Sequence, residues 1–273
     1  MKPPFLILLT LMLGACAVVP PPQARTEHAD RLAYAAGWYR DTISAGDFTL
    51  VSYMPAIFTS QDSVTIYIEG DGLAWTSRDT PSNDPTPLNP LALQLALNHP
   101  EGNAAYLARA CQFVAAAPRD CPRRYWTDQR YAAEVIEAMN QAVDVLKMRF
   151  GASQVILVGY SGGGTVSALL AARRTDVRRL VTVAGNLDHV RWTTYHRISP
   201  LRGSLNAADQ AMMLKAVAQT HFVGGADRVV PPALARQWPR EILGGRAENL
   251  HVLPGFTHHC CWTGEWQRLM TSH

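Results

Sequence analysis

Val155-Ile156-Leu157-Val158-Gly159-Tyr160-Ser161-Gly162-Gly163-Gly164 is the stretch that decides the fold. Its first four residues form a continuous apolar run, the pattern of a central parallel strand buried on both faces. A glycine-rich turn follows, then an Ala/Leu-rich helix expected over Thr165–Arg174. The turn reads G-x-S-x-G, which lifts a serine hydroxyl above the sheet edge on a sharp, strained bend. Residues two before and two after the serine crowd that bend, so glycine fits at 159 and 163. The helix behind Ser161 aims its first amides toward developing negative charge. A glycine-rich turn of a nucleotide-binding fold is the competing reading. It is disfavoured because the G-x-G-x-x-G order is missing and no P-loop lysine follows.

Working outward, strands alternate with helical stretches. Early strands are expected at about Asp47–Met54 and at Val64–Ile68, the latter stopped by Glu69-Gly70-Asp71-Gly72. A helix is expected over Leu91–Asn98 and a short strand over Ala104–Leu107. Thr127 is a plausible N-cap for a long helix over Asp128–Phe150, with Val135, Met139, Val143 and Leu146 at helical spacing. Further strands are expected at Leu180–Val183, His221–Val223 and Leu250–Leu253, with an irregular insertion near residues 186–215. This order implies an α/β fold with a mostly parallel central sheet and helices on both faces.

The strand, elbow and helix around Ser161 resemble the α/β-hydrolase superfamily, and the resemblance covers about residue 64 to the C-terminus. The family's chain order is Ser, acid, His. Asp227, in Val223-Gly224-Gly225-Ala226-Asp227-Arg228-Val229-Val230-Pro231, matches the acid's position, with Asp188 as a rival. The last strand leads into Pro254-Gly255-Phe256-Thr257-His258-His259, where His258 holds the base's place and His259 is the rival. The resemblance implies an oxyanion hole made by the amide of Gly162 and one on the loop after Val64–Ile68. By position that second donor is Asp71. Relatives often carry His-Gly-x-Gly there, and this chain has Glu69-Gly70-Asp71-Gly72, so the Asp71 carboxylate must turn away from the oxyanion.

The resemblance implies a serine hydrolase, with carboxylic esters as the default small-molecule acyl substrate. A serine peptidase or thioesterase, or a lipoprotein that keeps the fold and only binds, are the other readings. No cofactor is implied. His258-His259-Cys260-Cys261 is dense in metal-ligand types, but adjacent residues cannot all point at one ion, so no metal is expected. Trp75, Trp126 and Trp192 are each expected to fill the core, with lining the pocket as the alternative.

Lys2, the apolar run Phe5–Leu13 and Leu13-Gly14-Ala15-Cys16 read as a secretory signal over residues 1–15, too short to span a bilayer as a mature helix. The ending resembles a bacterial lipobox, which implies lipidation of Cys16; an ordinary cleavage near Ala15 or Ala17 is the alternative. Ala17 rather than Asp after the cysteine implies the outer membrane facing the periplasm. The proline triplet Pro20–Pro22 suggests an extended tether over residues 16–45, leaving 46–273 as the catalytic domain.

Export exposes the remaining cysteines to oxidation. Four cysteines allow three pairings, and a local Cys111–Cys121 bridge is favoured. Cys260 and Cys261 then form either a vicinal disulfide or two buried thiols. With 48% hydrophobic and 17% charged residues the chain is globular, and 273 residues suit one large α/β domain. A net charge of +3, carried by scattered arginine pairs without a basic tract, argues against a nucleic-acid partner.

Overall fold

Strands that must bury both faces need helices on both sides, and the computed structural model has that architecture. It describes residues 19–114, 121–238, 242 and 245–272. The strands are β1 (Trp38–Ala45), β2 (Phe48–Pro55), β3 (Ser63–Ile68), β4 (Asn103–Leu107), β5 (Gln154–Tyr160), β6 (Val177–Val183), β7 (Gln219–Gly224) and β8 (Leu250–Leu253). They form one sheet in the order β1-β2-β4-β3-β5-β6-β7-β8. Only β2 runs against the others, pairing antiparallel with β1 and β4. The remaining neighbours are parallel.

Alternate side chains of each strand feed two cores. On one face, Ile66, Leu157 and Leu180 pack with Val135, Met139 and Leu146 of α3 (Ala133–Arg149) and with Val166 and Leu169 of α4 (Gly162–Ala171). On the other face, Tyr67, Val158, Val181 and Phe222 pack with Leu93 of α2 (Leu91–Leu97) and with Trp262 and Trp266 of α8 (Trp262–Ser272). From β3 the chain moves outward to β4 and then crosses back to β5. That reversal opens a crevice between the carboxyl ends of β3 and β5, where ligands of open α/β sheets bind.

Three sequence expectations are corrected. The expected tether over residues 16–45 is folded from Pro22 onward, as α1 (Pro22–Ala35) and then β1. Pro22 opens the helix, where a missing N–H is harmless. Arg25 is buried and donates to the Thr86 carbonyl, and Asp30 accepts from the Tyr53 hydroxyl at 2.6 Å. Cys16 lies outside the described residues.

Second, the long helix begins at Ala133, and Thr127 does not cap it. Residues 123–126 form a 3₁₀ turn instead, and the Thr127 carbonyl accepts from Arg130 Nε at 2.6 Å. The segment is held by its arginine, which a helix starting at Asp128 would carry elsewhere. Third, the insertion near 186–215 is partly helical, with α5 (His189–His196), a 3₁₀ turn at 207–210 and α6 (Ala211–Leu214). The Asp188 side chain starts α5 by accepting from the Arg191 amide. A short helix α7 (Pro232–Ala235) follows β7. No helix among the described residues is long and apolar enough to cross a membrane.

Candidate active site

β5 ends at Tyr160, and α4 starts at Gly162 rather than at the expected Thr165, so Ser161 is the whole turn. Its backbone sits at φ 51° and ψ −119°, a conformation L-residues rarely adopt. Such strain persists only where the surroundings over-determine it. Here they do: the Ser161 amide donates to the Val183 carbonyl at 2.9 Å, and its carbonyl accepts from the amides of Gly164 (3.0 Å) and Asn186 (3.1 Å). A Cβ on Gly163 would strike the carbonyls of Ile68 and Glu69, and one on Gly159 would strike Gly163 and Ser167. The two motif glycines therefore let β3, β5 and α4 close around the turn.

The structure brings Ser161, His258 and Asp227 together from three loops. His258 follows β8, and its Nε2 lies 3.0 Å from Ser161 Oγ. Its Nδ1 donates to Asp227 Oδ2 at 2.8 Å. The Asp227 side chain is fully buried after β7, and Oδ1 accepts from the amides of Val229 (2.7 Å) and Val230 (2.9 Å). One carboxylate oxygen is thus fixed by backbone and the other by imidazole. This relay can take the serine proton onto Nε2 while Asp227 holds the ring's orientation and steadies its cation.

The rivals are engaged elsewhere. Asp188 starts α5, pairs with Arg191 Nε at 3.1 Å and accepts from Asn206. His259 turns its Nδ1 to the Tyr160 hydroxyl at 2.8 Å, and its pKa is lowered by burial and then by neighbouring His258.

The loop after β3 abuts the elbow, since a Cβ on Gly70 would sit 3.3 Å from Ser161 Cβ. Gly162 heads α4, where first-turn amides have no intrahelical acceptor. The Asp71 carboxylate is held by three side chains, and its Oδ1 stays beside Gly162, where an added Cβ would overlap it. Arg130 Nη1 pairs with Oδ2 at 2.6 Å, Arg109 Nη1 with Oδ1 at 3.3 Å, and the Tyr131 hydroxyl donates to Oδ1 at 3.3 Å. Burial alone would raise this carboxyl's pKa; the two guanidiniums override it and hold the group below the usual range. Burial and the Asp71 charge push Tyr131 up to about 12, so it remains a neutral donor.

Sequence reading missed Arg109, Arg130 and Tyr131. The one available signal was that an acid beside an oxyanion site needs cations to restrain it. Scattered arginines did not say which.

Glu69 stands where relatives often place histidine. It is buried and accepts from the Gly70 amide at 2.8 Å and the Tyr106 hydroxyl at 3.2 Å. Burial pushes its pKa up to about 7, against the pull of those donors. The native state therefore holds this proton more tightly than the unfolded chain does. The stabilisation is complete below the unfolded carboxylate range and disappears as pH rises to about 7, a swing on the order of 3 kcal/mol. Glu69→Gln should gain about that much stability relative to the parent between pH 5 and pH 8, measured by urea unfolding. His99 and His221, lowered by burial to about 4 and about 3, act in the opposite sense, but both proteins share them. An unchanged stability difference across that range would refute the buried-acid assignment.

The relay opens into a cavity of about 690 Å³. Against the core expectation, Trp75 and Trp192 line it, whereas Trp126 is buried and donates to the Ser82 carbonyl. Trp192 Nε1 and His196 Nε2 both donate to the Val229 carbonyl, so α5 braces the loop that carries Asp227. Beside the site, Cys111 is joined to Cys121 as expected, and Cys260 to Cys261 as a vicinal disulfide.

No protein-family model matches the chain, and no curated protein does. Solved structures do match. Est1E from Butyrivibrio proteoclasticus aligns at TM-score 0.55 and 16% identity, covering 85% of this chain and 98% of that one. The Pyrococcus furiosus esterase Pf2001 aligns at 0.57 and 12%, covering 86% and 89%. An alpha-beta serine hydrolase homologue from Coxiella burnetii aligns at 0.54 and 15%, covering 86% and 94%. The chain has the α/β-hydrolase fold. Within that fold, the carboxyl ends of β3, β5, β7 and β8 supply Asp71, Ser161, Asp227 and His258 to one end of the sheet.

Proposed function

We propose that the chain is a serine hydrolase that cleaves carboxylic esters through an acyl-enzyme, exported and held to a membrane by lipid on Cys16. The observation that carries the catalytic reading is the unbroken hydrogen-bonded run from Ser161 Oγ through His258 to buried Asp227, open to the cavity at its serine end. Ser161 Oγ attacks the ester carbonyl and its proton passes to His258 Nε2. The amides of Gly162 and Asp71 receive the negative oxygen. His258 then protonates the departing alcohol. Water, deprotonated by the same imidazole, releases the acid and restores the serine. The lipoprotein-like ending at Cys16 supports the anchoring half of the proposal.

One labelling experiment tests both halves. A fluorophosphonate probe should label the full chain expressed in a Gram-negative host, and Ser161→Ala should abolish the label. The labelled protein should partition into detergent, and Cys16→Ala should shift it to the aqueous phase. Failure of folded protein to label refutes the catalytic reading. Detergent partitioning that survives Cys16→Ala refutes the lipid anchor.

A further inference from the structure

Arg130 does more than restrain Asp71. Its side chain is about 6% exposed, yet it lines the same cavity as Ser161. Nε is spent on the Thr127 carbonyl and Nη1 on Asp71. Nη2 has no partner among the described residues, although a guanidinium carries donors on all three nitrogens. Behind it, Arg109 faces the same single carboxylate. Asp71 and Asp128 together more than offset the burial of the Arg130 cation, so what Arg130 offers the cavity is a free donor on a stably charged group.

Asn186 lines the same cavity. Its residue is 7% exposed, and its side-chain amide has no partner among the described residues. Its backbone amide donates to the Ser161 carbonyl, so it stands directly beside the nucleophile. The one other carboxyl lining the cavity wall next to Asp71 is Glu69, which burial keeps largely uncharged up to about neutral pH. A buried, half-used guanidinium and an unpartnered amide on the wall of one cavity can together receive a planar anion.

We infer that the site selects esters whose acyl chain carries a carboxylate a few bonds from the scissile carbonyl, seated on Arg130 with Asn186 at its flank. This rests on the reading of Ser161 as nucleophile. The Asp71 carboxylate links Arg130 to Gly162: a Cβ on Gly162 would strike Asp71 Oδ1 and crowd the Tyr131 hydroxyl, while Asp71 Oδ2 is bonded to Arg130. The acid must therefore lie close to the carbonyl, as in a monoester of a short dicarboxylic acid. The alcohol departs toward His258, which leaves the Arg130 wall to the acyl chain.

The test compares monomethyl succinate with methyl butyrate by methanol release. The wild type should favour the anionic ester in kcat/KM by roughly ten- to hundredfold, the worth of a charge-assisted hydrogen bond. Arg130→Gln should collapse that ratio toward one. Loosening of Asp71 slows both esters alike and cancels in the ratio, so a merely structural role would leave it unchanged. Free succinate should slow fluorophosphonate labelling of the wild type and not of Arg130→Gln. Should the variant fail to fold, the wild-type ratio and succinate protection decide alone. Labelling without ester preference or succinate protection overturns this inference and leaves the serine hydrolase standing; no labelling overturns both.

Discussion

Asp227→Asn should slow ester hydrolysis about 10⁴-fold while leaving the thermal melting point within a few degrees of the parent. An asparagine oxygen can keep both bonds that Oδ1 accepts from the amides of Val229 and Val230. Its NH₂ then faces His258 Nδ1, where Oδ2 stood. Two donors cannot share that contact, so the imidazole moves its proton to Nε2. That proton points at Ser161 Oγ, 3.0 Å away, and the base is blocked. Asp188→Asn should stay within a few fold of the parent, because Asp188 touches α5 and Asn206 and not the histidine. Hydrolysis of methyl butyrate by the two variants checks the assignment. A near-normal Asp227→Asn beside an inactive Asp188→Asn would assign the acid to the rival.

Gly162→Ala should lower kcat about 10³-fold with little change in KM. The added methyl would overlap Asp71 Oδ1 and crowd the Tyr131 hydroxyl. Asp71 cannot give way easily, since Arg130 and Arg109 hold its carboxylate from behind. The strain falls on the backbone of Gly162 and Asp71, and those are the two amides proposed to meet the oxyanion. One substitution disturbs both donors without removing a catalytic side chain. Single-turnover phosphonylation of Ser161 by the fluorophosphonate, with loss of fluoride, should slow in parallel. A variant phosphonylated at the parental rate would show that the oxyanion is stabilised elsewhere.

The parts of this site that were legible in the sequence share one property: each is announced by its own neighbours. Ser161 follows an apolar strand and precedes a helix, Asp227 follows a strand and two glycines, and His258 follows a strand and Pro-Gly. Local backbone chemistry makes those signatures, so linear reading finds them. Arg109 and Arg130 lie 38 and 59 residues from Asp71, and only the tertiary fold brings them together. Nothing around either arginine marks it as different from the solvated ones. The N-terminal misreading has a related cause. Proline at the start of a helix and proline in an extended spacer look alike when the partner surface is unknown. The groups that settle α1, namely Thr86, Asp84 and Tyr53, lie far along the chain.

The early start of α1 would shorten any leash running from Cys16. Only a few residues separate Cys16 from Pro22, and at about 3.5 Å each they reach roughly 20 Å. A domain anchored at Cys16 would patrol a thin layer against the membrane and would not swing freely above it. The leash also has a mechanical end point. Arg25, in the first turn of α1, is paired with Asp84 and bonded to the Thr86 carbonyl, and the chain runs directly from there into Pro87, Leu88 and Asn89 on the cavity wall. The helix that would take up tension from such an anchor is thus fastened to the rim of the mouth. The direction in which that mouth faces the surface would be set by this joint.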